Sequence, residues 1–343
     1  MAERSTRRVT LADVAEAAGM SKSAVSMILN DRPGTRLSED AVKRVRAAAE
    51  ELGYRPDPAA QSLRLGRSKS IGFISDKVTL TRFASPMILG ILDEAKARGR
   101  TVLIAETRGE PGELEHAVDA MLDRRVDGLL IGLMVARLID VPSIPRGMPL
   151  VVVNGTTALD HPSILPDEWH AGHTVAEHLV AAGHRRIGIV GDLPRVMDDL
   201  RESATIPSRF EGMMAAFDAA GVAPERVEVD AWDPTAGYDG ANRILDAHPD
   251  LTAVIAANDG VAFGVYQALG ERGIRIPADV SVISFDDEEL AGFHRPGLTT
   301  ARLPYEEMGQ RGIRMLLGEN EPAHERVAMP LIVRDSVAGP RPV

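Results

Sequence analysis

Residues 10–30, TLADVAEAAGMSKSAVSMILN, carry the pattern of two short amphipathic helices separated by a tight turn. Thr10 and Asp13 have the spacing of a reciprocal cap at the start of the first helix. Gly19 permits the left-handed backbone that ends that helix, and Ser21 can cap the second one. This layout is that of a helix-turn-helix, which predicts a unit that reads DNA.

The predicted second helix has two faces of different character. One face is polar or accessible, with Lys22, Ser23, Ser26, Met27 and Asn30, and the other is apolar, with Val25, Ile28 and Leu29. We expect the apolar face to pack and the other to be available for a DNA groove. A third helix from Ser38 would close a small core with Val42, Val45, Ala49 and Leu52. Any pair of short amphipathic helices around a glycine gives a similar pattern, so plain helix packing is the alternative.

The composition is that of a multidomain protein without disulfides. The chain has 343 residues, no cysteine and a net charge of -11. With no apolar run near 18 residues and no secretory leader, it is expected to be cytoplasmic, with no membrane partner. Residues 1–70 hold 13 basic and 9 acidic side chains, a net of +4, which leaves -15 for the rest. A basic head on an acidic body suits a DNA-binding domain joined to a sensing domain, although ordinary charge fluctuation is the alternative.

From Ile71 onward, short apolar runs alternate with helical stretches, which predicts parallel strands joined by helical crossovers. The body is therefore predicted to be α/β and doubly wound. Its length is large for one sheet, so two subdomains are expected. Polar side chains follow several strands, at Asp76, Asn154, Asn258 and Asp286. Each of them could simply cap the next helix, but four on one edge favour a polar ligand rich in hydroxyls or charge.

Several motifs, taken in order, closely resemble those of the Lac repressor (LacI/GalR) family of bacterial transcription regulators. In the head they are VTLADVA at 9–15, GMS at 19–21, VS at 25–26, LN at 29–30 and ELGYRP at 51–56. In the body they are AAND at 256–259, IPADVSVISFDD at 276–287 and RPGLTT at 295–300.

This resemblance implies a fold and a domain plan. A three-helix helix-turn-helix head at 1–56 is followed by a hinge helix and linker at 57–70. An effector-binding and dimerisation domain at 71–343 would resemble periplasmic binding proteins. Its two doubly wound subdomains are expected at roughly 71–166 with 299–326, and at 167–298 with 327–343.

The resemblance also implies which residues contact DNA. The base contacts would be Lys22, Ser23 and Met27, and the phosphate contacts Thr10, Ser21, Ser26 and Asn30, with helix capping as the alternative role for the latter. Met27 stands where the family often carries arginine, so the usual guanine contact is in doubt. In the hinge, Leu63 would enter the minor groove beside Ala59 and Gln61, although ordinary packing is the alternative for Leu63.

In the body, the resemblance implies that an effector cleft is lined by Phe83, Asn154, Arg209, Trp232, Asn258 and Asp286. An aromatic face would cover a sugar ring while Arg, Asn and Asp hold its hydroxyls. Packing is the alternative role for Trp232. The segment 194–207 exceeds the family norm in length, and both a lid and a surface loop remain open.

The predicted function is a ligand-responsive repressor of carbohydrate uptake or catabolism genes, released from its operator by a sugar. A corepressor-dependent regulator that binds a purine or nucleoside is the alternative. A homodimer on a pseudo-palindromic operator is expected, with no cofactor and no metal. An enzyme is disfavoured because the chain lacks a glycine-rich phosphate loop, a nucleophile elbow and a His-Glu-x-x-His motif. A transporter's solute-binding protein is disfavoured by the N-terminal helices.

Overall fold

The computed structural model describes residues 9–30, 37–55 and 67–341. The chain divides into two compact units, a head at Met1–Lys69 and a body at Ser70–Val343. The predicted hinge residues Ala59, Gln61 and Leu63 lie outside the described residues, and so do Asp31–Arg36 of the loop after the second helix.

The head contains α1 (Leu11–Ala18), α2 (Lys22–Leu29) and α3 (Glu39–Glu51). The Thr10 side chain and the Asp13 side chain form the reciprocal cap that the sequence predicts. Gly19 ends α1 in the left-handed region, with φ 63°. Ser21 accepts a hydrogen bond from the Ala24 amide at 3.2 Å. These local signals confirm the predicted bounds of the two helices.

The three helices of the head bury a small apolar core. Its buried members are Val14, Ala15, Ala18, Val25, Ile28, Val45, Ala48 and Ala49. Leu52 was expected in this core but is 37% exposed. It lies at the cap after α3, where the chain leaves the helix, and Tyr54 packs against the core in its place.

The body is built from alternating strands and helices. Its strands are β1 (Ser70–Asp76), β2 (Thr101–Glu106), β3 (Leu129–Ile139), β4 (Leu150–Thr157), β5 (Ser163–Pro166), β6 (Ile187–Asp192), β7 (Glu225–Glu228), β8 (Ala253–Ala256), β9 (Ser281–Asp286), β10 (Thr299–Arg302), β11 (His324–Val327) and β12 (Leu331–Ile332). Its helices are α4 (Ser85–Ala97), α5 (Glu113–Asp123), α6 (Glu168–Ala181), α7 (Pro194–Asp198), α8 (Ile206–Ala220), α9 (Pro234–Ala247), α10 (Asp259–Glu271), α11 (Glu289–Phe293) and α12 (Tyr305–Leu316).

The strands form two six-stranded sheets, one in each subdomain. The first has the order β11-β5-β4-β3-β1-β2 with parallel pairs throughout, and the second has the order β12-β10-β9-β8-β6-β7. In the second sheet only the edge strand β12 is antiparallel to its neighbour. This architecture confirms the predicted doubly wound α/β body.

The border between the subdomains differs from the sequence-based one in one place. The prediction assigned residues 299–302 to the first subdomain, but β10 pairs in parallel with β9 of the second sheet. The chain returns to the first subdomain only after Arg302, where α12 packs on that sheet. The prediction failed here because the four residues of β10 are too short a run to show which sheet they join.

Helices α6 and α8 approach each other closely because glycine lies on both at the contact. A Cβ atom added to Gly172 of α6 would lie 2.0 Å from the Arg209 carbonyl oxygen of α8. A Cβ atom added to Gly212 of α8 would lie 2.0 Å from the Trp169 carbonyl oxygen of α6. The contact is therefore reciprocal, and it brings together two helices that carry charged side chains described below.

Replacing Gly172 by alanine is expected to push α6 and α8 apart and to lower the free energy of unfolding by about 3 kcal/mol, because the new methyl group meets backbone that cannot move alone. Gly270→Ala is the matched control, since a Cβ atom there has nothing within 4 Å. That change is expected to stabilise the protein by up to about 1 kcal/mol through helix propensity. Urea unfolding measures both values, and equal effects at the two sites would contradict the close contact.

Candidate DNA interface and ligand cleft

The α2 helix of the head presents an accessible polar face. Lys22 and Ser23 are exposed, and Ser26 and Met27 are partly buried. The apolar partners Val25 and Ile28 are buried against the other two helices. Lys22 can therefore extend a cation into a groove without losing any packing, which is what direct readout of a base requires.

The four predicted phosphate contacts differ in what their side chains can still donate. The Ser21 hydroxyl accepts from the Ala24 amide, which leaves its hydrogen available for a phosphate oxygen. The Thr10 hydroxyl instead donates to Asp13 Oδ2 at 2.8 Å, and the Thr10 amide donates to the same oxygen at 2.7 Å. Asn30 caps the end of α2 and donates to the Ser26 carbonyl at 2.5 Å.

In the body, a buried ion pair joins α8 to α6. Arg209 Nε lies 2.6 Å from Glu168 Oε2, and Arg209 Nη2 lies 2.8 Å from Glu168 Oε1. Both side chains are almost fully buried, at 2% and 3% exposed. The two-pronged geometry satisfies both carboxylate oxygens, which offsets much of the cost of removing both charges from water.

The remaining surroundings of Arg209 are an anion, a carbonyl and two rings. Its Nη1 donates to the Ala257 carbonyl at 2.7 Å, and its Nη2 lies 3.9 Å from Asp286 Oδ1. The guanidinium lies over the Phe285 ring at 4.1 Å and over the Trp232 ring at 5.7 Å. Burial raises the pKa of Asp286 well above its usual range, although the Arg209 cation opposes the rise.

Trp232 and Asn258 are held in place by hydrogen bonds of their own. Trp232 Nε1 donates to the Gly191 carbonyl at 2.8 Å, so its polar edge is already satisfied. Asn258 Oδ1 accepts from the Val261 amide at 2.8 Å as the cap of α10, and its Nδ2 donates to the Trp232 carbonyl at 3.4 Å. Asn258 therefore caps a helix and also fixes the backbone of Trp232.

The first subdomain contributes a second group of site residues. Asn154 has a left-handed φ of 60°, and its Nδ2 donates to the Leu133 and Met134 carbonyls at 2.9 and 3.0 Å. Tyr305 donates its hydroxyl to the same Met134 carbonyl at 2.8 Å, and its ring lies 5.9 Å from that of Phe83. The Asn154 Oδ1 atom is buried and has no hydrogen-bond partner within the described protein, which leaves an acceptor available for a ligand.

A cavity of about 900 Å³ opens between the two subdomains. Of the six predicted effector residues, Phe83 and Asp286 line it, while Asn154, Arg209, Trp232 and Asn258 do not. The structure thus divides these residues into two groups. One connected group contains Arg209, Trp232, Asn258 and Asp286. The other contains Phe83 and Asn154, which are linked to each other through Tyr305. The described lining carries six carboxylates and three arginines, so it is acidic.

Sequence reasoning left out two residues of these groups, Glu168, which pairs with Arg209, and Tyr305, which contacts Phe83 and the Met134 carbonyl that Asn154 also binds. Asp259, which follows β8 in the AAND motif, accepts from the Glu288 amide and the Thr300 hydroxyl at 2.7 and 2.9 Å. Burial raises the pKa of Asp259 to about 7, against the opposing effect of those hydrogen bonds. Glu168 follows the short strand β5, and Tyr305 follows the short strand β10. Recognition of these two strands in the sequence would have placed each residue just after a strand end.

The Glu168→Gln variant is expected to lose about 3–5 kcal/mol of unfolding free energy, because it leaves the Arg209 cation buried without its anion. The double variant Glu168→Met with Arg209→Met removes both charges and should recover most of that loss. A double-mutant cycle measured by urea unfolding tests the coupling. Losses that simply add in the double variant would show that the pair is not energetically linked.

In the described part of the chain, no group of three acidic or histidine side chains is placed to hold a metal ion. No helix among the described residues has the length and apolar character needed to cross a bilayer.

Two family models match the chain. The one described as "Bacterial regulatory proteins, lacI family" matches residues 10–57, and "Periplasmic binding protein-like domain" matches residues 176–337. The HTH-type transcriptional repressor PurR of Pasteurella multocida is 30% identical over 342 residues, which cover 96% of this chain and 98% of that relative. PurR of Pectobacterium carotovorum is 32% identical over 345 residues, with 96% and 97% covered.

Solved structures agree with these matches. The Lac repressor dimer bound to operator and the anti-inducer ONPF has a TM-score of 0.79 at 27% identity and covers 97% of this chain and 100% of its own. The complex of the transcriptional regulator CelR with cellobiose has a TM-score of 0.63 at 25% identity, with 96% and 100% covered. The resemblance inferred from the head and body motifs is confirmed. The chain belongs to the lacI family of bacterial regulatory proteins and is a DNA-binding transcriptional regulator.

Proposed function

We propose that this regulator represses carbohydrate uptake or catabolism genes and is released from its operator by an uncharged sugar bound between the subdomains. The observation that carries the proposal is the compensation of Arg209 by Glu168. Because Glu168 and the Ala257 carbonyl already take three of its N–H groups, Arg209 offers hydrogen bonds but little uncompensated positive charge.

The charge of the cavity supports an uncharged effector over a phosphorylated one. Asp286, Asp287, Glu288, Glu289, Glu306 and Glu307 line it, against Arg82, Arg302 and Arg314. All three of those arginines are engaged by carboxylates, since Arg82 pairs with Glu289, Arg302 with Asp287 at 2.7 Å and Arg314 with Glu94 at 2.6 Å. A phosphate group would therefore meet net repulsion.

The chemistry of the groups also suits a polyhydroxyl compound. Asp286 and the unpartnered Asn154 Oδ1 can accept from hydroxyls, and Phe83 offers an aromatic face to the apolar side of a ring. The related regulator CelR has been solved with cellobiose, which is a neutral sugar. A purine or nucleoside is the second candidate, and the relatives named PurR favour it.

Control of DNA binding requires a dimer whose two heads meet one operator. The related Lac repressor has been solved as a dimer on its operator. In our proposal, effector binding changes the arrangement of the two subdomains and thereby the spacing of the two heads on a pseudo-palindrome. The hinge residues Ala59, Gln61 and Leu63 would then leave the minor groove, and the coupling is reciprocal.

Neutral sugars are expected to raise the melting temperature of the protein and to change Trp232 fluorescence, whereas their phosphate esters are not. The screen uses the Trp169→Phe variant, in which Trp232 is the remaining tryptophan of the two in the chain. Asp286→Asn should weaken the response to the active sugar by at least about tenfold, because a carboxylate accepts two hydroxyl bonds more strongly than an amide does. A response to nucleosides without any sugar response would overturn the sugar proposal in favour of the second candidate.

Lys22→Ala is expected to cost about 1–3 kcal/mol of binding to the operator and to relax discrimination at one base pair, because we propose that the exposed Lys22 contacts a base edge. Lys43→Ala is the matched control, since it removes the same charge from an exposed position on α3. Fluorescence anisotropy with a promoter fragment and with an unrelated duplex measures both. An equal loss on the two duplexes for Lys22→Ala would contradict a base contact.

A further inference from the structure

The segment Asp199–Ala204 lies between α7 and α8 of the second subdomain but bonds to β3 of the first. The Leu138 amide donates to the Leu200 carbonyl at 2.8 Å, and the Ala204 amide donates to the Ala136 carbonyl at 2.7 Å. Arg201 also pairs with Asp140 at 2.9 Å. Between these two bonds to the end of β3 the segment forms a turn, in which the Glu202 and Ser203 amides donate to the Asp199 carbonyl at 2.9 Å. This segment is called the strap below.

On the first subdomain, the strap is attached next to the cleft. The pairing of β3 with β4 shifts register between Gly132 and Arg137 and then continues to Ile139. Within that irregular part, the Met134 carbonyl accepts from both Asn154 and Tyr305. The strap's acceptor, Ala136, is two residues further along the same strand.

On the second subdomain, the strap leads directly into the helix that carries Arg209. The Ser203 hydroxyl accepts from the Thr205 and Ile206 amides at 3.3 and 3.1 Å, and the Arg209 amide donates to the Thr205 carbonyl at 3.4 Å. Ser203 and Thr205 are 1% and 2% exposed. The start of α8 is therefore fixed to the strap by buried hydrogen bonds.

We propose that the strap holds the two subdomains together along β3 and α8 and has to detach from β3 when the cleft opens. It fixes Arg209 of one subdomain relative to Asn154 and Tyr305 of the other. In the described part of the body, the other ion pair across the cavity joins Arg82 to Glu289, whose side chains are 84% and 56% exposed, and exposed pairs contribute little. This inference does not depend on the chemical class of the effector.

Covalent closure of the strap tests the proposal, and the absence of native cysteine restricts the linker to introduced thiols. In the Trp169→Phe background, Asp140→Cys with Arg201→Cys is joined by a short bis-maleimide, and acrylamide quenching reports solvent access to Trp232, which lies beside the Arg209 guanidinium. Linking is expected to lower the quenching constant at least about twofold relative to the same protein capped with N-ethylmaleimide, because local opening is blocked.

A matched control links two positions on the same side of the cleft. Arg186 and Asp250 lie 3.3 Å apart, and both belong to the second subdomain and lie outside the strap. Arg186→Cys with Asp250→Cys, joined by the same reagent, crosses no subdomain border and should leave quenching unchanged. If both linkers lower quenching equally, or if the Asp140 and Arg201 linker has no effect, the proposal is overturned.

Weakening the attachment of the strap to β3 should open the cleft. Ala204→Pro removes the amide that donates to Ala136, and loss of one such bond should raise the open population about fivefold and the quenching of Trp232 with it. Unaltered quenching in a variant that keeps its cooperative urea transition would contradict the strap. The linker experiment decides the question independently if this variant does not fold. No sugar is present in either measurement, so a failed sugar screen leaves the result unaffected.

Discussion

The buried pair of Arg209 and Glu168 is the interaction on which the cleft depends. Two charges at 2% and 3% exposure are tolerable only when they are paired and hydrogen-bonded, and here Glu168 and the Ala257 carbonyl accept from three N–H groups of Arg209. That geometry in turn requires α6 and α8 to approach within backbone contact, which Gly172 and Gly212 allow. A packing constraint between two helices thus determines where the Arg209 cation lies, and this cation cannot be moved independently of the core beneath it.

The same pair determines the character of the cleft. With Arg209 compensated, the nearest further acidic group is Asp286, whose pKa burial raises well above its usual range. Asp286 and its neighbour Asp287 both hold positive φ angles of 101° and 54°. A positive φ is energetically costly for residues other than glycine. At the end of β9 this backbone conformation points the two carboxylates in different directions. Asp287 binds Arg302 and Arg334, while Asp286 faces the cavity and Arg209. One carboxylate therefore stabilises the loop, and the other faces the cavity in which we propose that the effector binds.

Local signals made most of the fold predictable. The caps at Thr10 and Ser21 depend on neighbouring residues and agree with the structure, and the alternation of apolar runs with helical stretches from Ile71 onward correctly predicted the α/β body. The short strands β5, β10 and β11 were not predicted because their pairing is long-range, as in the contact of Ser163 with His324. Glu168 was missed for the same reason, since its role appears only once β5 and the partner helix α8 are in place. The strap has no periodic pattern at all, and its partner, the end of β3, follows a register shift that a sequence does not reveal.

In the head, two hydroxyl side chains that cap helices differ in the hydrogen bonds that they can still donate. Thr10 and Ser21 both cap helices, and sequence reasoning gave both the same second role at phosphate groups. The structure distinguishes the two residues by whether the hydroxyl hydrogen is already donated within the head. Ser21 accepts its capping bond and keeps a hydroxyl hydrogen for a phosphate oxygen, whereas Thr10 gives its hydroxyl hydrogen and its amide to Asp13. A phosphate contact from Thr10 would have to break the capping box, at a cost of about 1 kcal/mol. Because phosphate oxygens accept and never donate, Ser21 is the better placed of the two to orient the head on DNA.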